Sequence, residues 1–228
     1  MKAPIALALD AKDLATISAL ALEVAPHVDT LKVGLETFLR DGADAISAVR
    51  STDCRLFLDL KLHDIPNTVA GACQSVAKFA PEFLTVHASG GAAMIEAAAQ
   101  ALPETRITAV TILTSLTAED LKQIGFQDEP LEAAVKLAEL AVAAGARAIV
   151  CSPQEVAAIR SAVPADITLI TPGVRPAGAA LGDQNRVATP ASAIAAGADL
   201  LVIGRPITHA ANPAAAAAEI AKEIFSNG

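Results

Sequence analysis

An α/β fold, a (β/α)8 barrel spanning residues 1–228 as a single domain, is predicted by three features of the chain. Short apolar runs of strand length alternate with longer runs of helical period, a pattern that implies parallel strands joined by right-handed crossovers. Eight such units fit the 228 residues with no linker and no break in composition. Charged residues and glycines gather at the C-terminal ends of the apolar runs, which a closed barrel brings to one mouth, where active sites are built. An open doubly wound sheet is the competing architecture. It would want a Gly-rich phosphate turn after the first strand, where this chain has Asp10-Ala11-Lys12.

In chain order, residues 4–9 read as the first strand, apolar and ending at Asp10. Residues 11–26 are helical by the spacing of Leu14, Ile17, Leu20, Ala21 and Val24. A second strand, 28–33, runs into Lys32-Val33-Gly34, and 35–49 is read as one helix. The third strand, 54–61, is apolar until Asp59. Pro66 stops it, and Asn67 is placed to cap a helix over 68–79. A strand at 83–87 and a helix at 92–101 follow, then a strand at 106–113 ending at Thr114-Ser115. Helices at 117–124 and 131–144 flank a turn at 125–130. A strand at 146–151 leads to a helix at 153–163 with proline at its start. The seventh strand, 167–171, runs into Pro172-Gly173. The Gly-rich loop from 173 to 187, with Gly178 and Gly182, is read as a lid that closes on bound phosphate. A short helix at 190–196 and a strand at 199–203 end at Gly204-Arg205-Pro206. The last helix opens with Asn212 as cap and Pro213 at its first position; its alanines are good helix formers.

Composition bounds the function. The chain is 53% hydrophobic and 18% charged, which provides for a large core and argues against disorder. A net charge of −8 argues against a nucleic-acid-binding face. It leaves an anionic substrate open, because local charge decides that. Cys54, Cys73 and Cys151 have no CxxC spacing, which suggests reduced thiols and a cytoplasmic protein. Lys2 is followed by a strand-like run broken by Asp10, unlike a signal peptide. No apolar run reaches the roughly 20 residues of a membrane span.

Chemistry concentrates in Asp59-Leu60-Lys61-Leu62-His63-Asp64-Ile65-Pro66-Asn67-Thr68. Asp59 and Lys61 are two apart, so a strand would point both to one face. Three charges at the end of a buried strand are costly unless they neutralise one another. A structural ion pair is the plain reading and a catalytic array the sharper one. Asp10 alone could cap the next helix, and Lys32 alone could snorkel at the rim. Taken together, Asp10, Lys32, Asp59, Lys61 and Asp64 alternate in sign, so they can stay ionised and fixed before a substrate arrives. No His cluster or carboxylate triad has metal-ligand spacing, and the lysines can take the positive role of a divalent ion. A second feature is an anion site. Gly204 and Arg205 end the eighth strand, and the loop before it carries Arg175, Gln184 and Arg186. Barrels hold phosphate at these loops, and the guanidinium fork matches it.

The long third-strand motif resembles the signature of orotidine 5'-phosphate decarboxylases. The resemblance extends through Ala8-Leu9-Asp10, Leu31-Lys32-Val33-Gly34, Val86-His87-Ala88-Ser89-Gly90-Gly91, Leu113-Thr114-Ser115, Thr171-Pro172-Gly173-Val174-Arg175-Pro176, Gly182-Asp183-Gln184 and Val202-Ile203-Gly204-Arg205-Pro206. It implies a cofactor-free lyase acting on orotidine 5'-monophosphate. By the same resemblance Asp10 and Lys32 hold the ribose hydroxyls, Asp59 sits beside the substrate carboxylate, and Lys61 delivers a proton to pyrimidine C6. Thr114, Ser115 and Pro172 bind on the pyrimidine or phosphate side, and Arg175, Gln184, Gly204 and Arg205 bind phosphate. It further implies a homodimer in which Asp64 and Thr68 reach into the partner's site. His63 and His87 receive no role.

Three rivals stay open. Barrels resembling 3-keto-gulonate-phosphate decarboxylases and hexulose-phosphate synthases share the Asp-x-Lys-x-x-Asp pattern. They use Mg2+ and carry an acidic residue where this chain has Lys32. A Schiff-base aldolase would need a lysine with a depressed pKa, whereas Lys61 lies between carboxylates in sequence. A barrel that only binds nucleotide monophosphates would leave the charged array unused.

Overall fold

The computed structural model of the protein describes residues 2–175 and 188–226. Eight parallel strands close into a barrel in sequence order, each paired with the next and the eighth with the first. They are β1 (Ala3–Ala8), β2 (Val28–Gly34), β3 (Arg55–Leu62), β4 (Phe83–His87), β5 (Arg106–Val110), β6 (Ala148–Val150), β7 (Thr168–Thr171) and β8 (Leu200–Ile203). The helices form the outer layer: α1 (Leu14–Val24), α2 (Leu35–Asp41), α3 (Ala43–Arg50), α4 (Pro66–Val76), α5 (Ala92–Ala101), α6 (Ala118–Gln123), α7 (Pro130–Ala143), α8 (Val156–Ala162), α9 (Pro190–Ala195), α10 (Arg205–Thr208) and α11 (Pro213–Ser226). Outward-facing strand residues such as Ile5, Leu7, Leu31 and Leu56 pack against inward helix residues such as Ile17, Leu20 and Ile220 in one continuous core. No helix among the described residues is long and apolar enough to cross a membrane.

Inside the barrel, Ala6, Phe57, Phe83, Ala148, Ile170 and Leu200 form a separate apolar plug. The rings of Phe57 and Phe83 lie 5.5 Å apart. Burying each is worth roughly 2–3 kcal/mol. At the N-terminal end, the guanidinium groups of Arg55 and Arg106 lie 5.5 and 5.8 Å from the Phe83 ring. Asp29 pairs with Arg55, and Glu82 with both arginines. At the other end, Lys32 is in register with Ala8 and Phe57, and Gly34 with Asp59. The plug therefore fixes the floor on which the charges stand.

The helix starts follow local chemistry. Asp13 caps α1, its carboxylate accepting from Thr16 N at 2.8 Å, so Asp10 is left for the barrel mouth. Thr117 and Asp120 form a capping box on α6. Asn212 accepts from Ala215 N at 2.9 Å, the cap read for α11. Other boundaries differ from expectation. The helix over 35–49 is two helices, because Gly42 adopts φ 56°, ψ −127° and breaks the ladder. Helix α4 begins at Pro66 with Ile65 at its N-cap, since proline fits the first helical position; Asn67 lies inside the helix and is not its cap. Strand β5 stops at Val110, and α8 starts at Val156 after a turn at Pro153. Helix α10 is too short to show a period in sequence.

Candidate active site

Asp59 is the centre of the mouth. Its Oδ2 lies 3.1 Å from Lys32 Nζ and its Oδ1 2.8 Å from Lys61 Nζ. Burial opposes its charge, but the two ammonium groups outweigh that and hold its pKa down to about 2. Lys32 itself is buried. The packing is tight: a Cβ built on Gly34 would lie 2.9 Å from Lys32 Nζ and 3.4 Å from Asp10 Oδ1, so the missing side chain leaves room for the pair. Asp10 is exposed at the rim.

Lys61 does not reach Asp59 by simple strand alternation. Leu58 pairs with Leu84 and Leu62 with Val86, so β3 takes four residue steps where β4 takes two. Within that bulge Lys61 has φ 48°, the left-handed region, unusual for a residue with a Cβ. A bulge re-aims side chains, and here the lysine is carried onto the carboxylate.

Two cavities meet at this point. One of about 610 Å³ is lined by Asp10, Lys32, Asp59, Pro172, Arg175, Gly204 and Arg205, among others. One of about 200 Å³ is lined by Lys61 and Thr114 and by apolar residues including Val110, Ile112 and Val150. Asp59, Pro172 and Val202 line both. Cys151, on the wall of the smaller cavity, is a neutral thiol: burial and Glu155 push its pKa up to about 12. Arg175 is only 8% exposed, and its Nε has no hydrogen-bond partner among the described residues. A buried unpaired donor costs about 1–3 kcal/mol, which an anion in the cavity would relieve.

The structure does not gather every expected residue on one chain's cavities. Asp64 is exposed and accepts from Ile65 N at 2.7 Å; Thr68 is exposed on α4. Ser115 is exposed in the turn beside Thr114 and lines neither cavity. Gln184, Arg186 and the 176–187 part of the expected lid lie outside the described residues. The rings of His63 and His87 lie with centroids 5.4 Å apart and planes tilted by 38°. Burial first, then His63 and Lys61, lower the pKa of His87, with Asp59 pulling the other way. Sequence reasoning missed Thr208 and His209 on the larger cavity, carried there by α10, and Thr85, which reads as one more residue of the strand Phe83-Leu84-Thr85-Val86-His87. A lone hydroxyl in an apolar strand was the only available signal. Among the described residues no three His, Cys, Asp or Glu side chains cluster as metal ligands would.

Comparison with known proteins places the chain in a family. The family model described as orotidine 5'-phosphate decarboxylase / HUMPS family matches residues 3–220. The orotidine 5'-phosphate decarboxylase of Thermobifida fusca is 63% identical, over 100% of this chain and 98% of its own. That of Halorhodospira halophila is 52% identical, over 97% and 96%. The crystal structure of orotidine 5'-phosphate decarboxylase from Lactobacillus acidophilus superposes with a TM-score of 0.85 at 35% identity, covering 98% of this chain and 99% of that one. A closed barrel with the Lys32–Asp59–Lys61 array at its mouth and these full-length relatives lead to one assignment: the chain belongs to the orotidine 5'-phosphate decarboxylase / HUMPS family.

Proposed function

We propose that the protein decarboxylates orotidine 5'-monophosphate to UMP and CO2 in pyrimidine biosynthesis, without a cofactor, through a C6 carbanion that Lys61 stabilises and then protonates. The observation that carries this reading is the carboxylate of Asp59 held between two ammonium groups where the two cavities join. Loss of CO2 leaves an electron pair in the plane of the pyrimidine ring, where the π system cannot delocalise it. An ammonium fixed beside C6 stabilises that charge without reorganising and supplies the proton that ends it. Asp59 would face the substrate carboxylate. Two unit charges about 4 Å apart at an effective dielectric near 20 repel by roughly 4 kcal/mol. The rate is assigned to Lys61 acting at the transition state, since only interactions stronger there than in the ground state raise it.

In this reading the larger cavity takes ribose phosphate. Asp10 and Lys32 hold the ribose hydroxyls, and Arg175, Gln184, Gly204 and Arg205 hold the phosphate. The smaller cavity takes the pyrimidine edge, beside Thr114 and Pro172, with Ser115 next to Thr114 in the exposed turn. Asp64 and Thr68, exposed here, are given to a second copy of the chain in a homodimer, next to Ile65, itself 66% exposed. Three buried free cysteines are in keeping with a cytoplasmic setting. Lys32 beside Asp59 favours this reading over the Mg2+-dependent sugar-phosphate barrels, because its ammonium stands where they place a carboxylate.

The test is the ultraviolet absorbance of orotidine 5'-monophosphate mixed with protein in chelator. Loss of the orotate chromophore with UMP as product is expected. Lys61→Ala should abolish turnover and keep UMP binding; near-normal turnover would remove Lys61 from the proton-donor role. UMP binding without turnover by the wild type would point to a nucleotide-binding barrel.

A further inference from the structure

The bend that presents Lys61 is closed by one buried hydroxyl. Thr85 of β4 is fully buried. Its Oγ1 accepts from the backbone N–H of Lys61 at 2.8 Å and donates to Asp59 Oδ1 at 3.1 Å. A threonine hydroxyl has one hydrogen to donate and lone pairs to accept, so both bonds can form together. The β3–β4 ladder skips the residues between Leu58 and Leu62, which leaves the Lys61 amide without its place in the parallel pairing. A buried, unpaired backbone N–H is costly, and Thr85 supplies its acceptor. The oxygen of Asp59 that receives the hydroxyl is also the one that receives Lys61 Nζ. One side chain thus ties the main chain of the proton donor to the carboxylate that its ammonium must reach.

We propose that Thr85 is a positioning residue of the decarboxylation, its hydroxyl holding Lys61 in the left-handed bend and Asp59 in the rotamer that meets Lys61 and Lys32 together. The proposal deepens the decarboxylase reading and rests on it. Thr85 lines neither cavity, so it has no substrate contact to lose, and its removal should act on the chemical step. A reacting group displaced by about 1 Å can lose about a hundredfold in rate.

Three variants and two readouts test this. Thr85→Val keeps the shape and removes the hydroxyl; kcat should fall about 100-fold, with KM for orotidine 5'-monophosphate within about threefold of wild type. Thr85→Ser, which keeps the hydroxyl, should recover most of that loss. Hydrogen exchange at the Lys61 amide, slow in wild type and in Thr85→Ser, should quicken at least about tenfold in Thr85→Val. Should Thr85→Val fail to fold, Thr85→Ala carries the same expectations. Wild-type kcat in a folded Thr85→Val would overturn the proposal. So would a Thr85→Ser as impaired as the valine variant, which would assign the effect to methyl packing. Loss of fold in both Thr85→Val and Thr85→Ala would make the hydroxyl structural and overturn it as well. An inactive wild type would instead fail the decarboxylase reading, and amide exchange would still decide whether the hydroxyl holds Lys61.

Discussion

At the scale of residues, one carboxylate sets the electrostatics of the mouth. Asp59 has a pKa of about 2 in the folded chain against an ordinary 3.8, because two ammonium groups outweigh the cost of burying it. A depressed carboxylate contributes stability that is present above its unfolded pKa and is lost as pH falls through the folded one. A difference of this size corresponds to about 2 kcal/mol. The stability gap between wild type and Asp59→Asn should therefore narrow by about that amount between about pH 5 and about pH 2, read from urea midpoints. A constant gap would mean that Lys32 and Lys61 do not hold the charge. The charged residues themselves were readable from sequence, because Asp59 and Lys61 sit close together in a motif with few alternatives. The hydroxyl of Thr85 was not, since its purpose depends on a partner strand 24 residues away.

At the scale of elements, the order of the strands and of the longer helices was legible, because alternating period is a property of each segment alone; α10 was too short to show one. What sequence period missed were the places where a backbone angle overrides it. The apolar spacing over 35–49 passes straight through Gly42, yet the chain turns there at φ 56°, ψ −127°. A Cβ at Gly42 would meet nothing nearer than Phe38 O at 4.0 Å, so space is not what requires glycine; the backbone angle is. Gly42→Ala should destabilise the fold by about 1–3 kcal/mol while leaving kcat unchanged, as measured by denaturant midpoint and turnover. An unchanged midpoint would mean that the break between α2 and α3 does not depend on that residue. The bulge in β3 is the same kind of event. The rule that residues two apart share a face did put Asp59 and Lys61 together, but the contact is made by a left-handed lysine and a skipped ladder rather than by regular pleat.

At the scale of the molecule, Asp64 and Thr68 are exposed and line neither cavity of their own chain, which is why the proposed function gives them to a partner's site. If the proposed dimer shares sites in this way, Lys61→Ala and Asp64→Ala should each be inactive alone. Mixed under conditions that exchange subunits, they should regain about a quarter of wild-type turnover, because half the dimers carry one site with both residues intact. No recovery, with exchange shown by differential labelling, would confine Asp64 to its own chain. Closure of the sheet bears on how such a pair can form. A barrel whose eighth strand bonds to its first has no free strand edge, so no second copy can add by extending a ladder of backbone hydrogen bonds, the route by which open sheets aggregate. Association is left to side chains on helices and loops. If the proposed dimer forms, its two copies should therefore part on a few surface substitutions without either barrel unravelling.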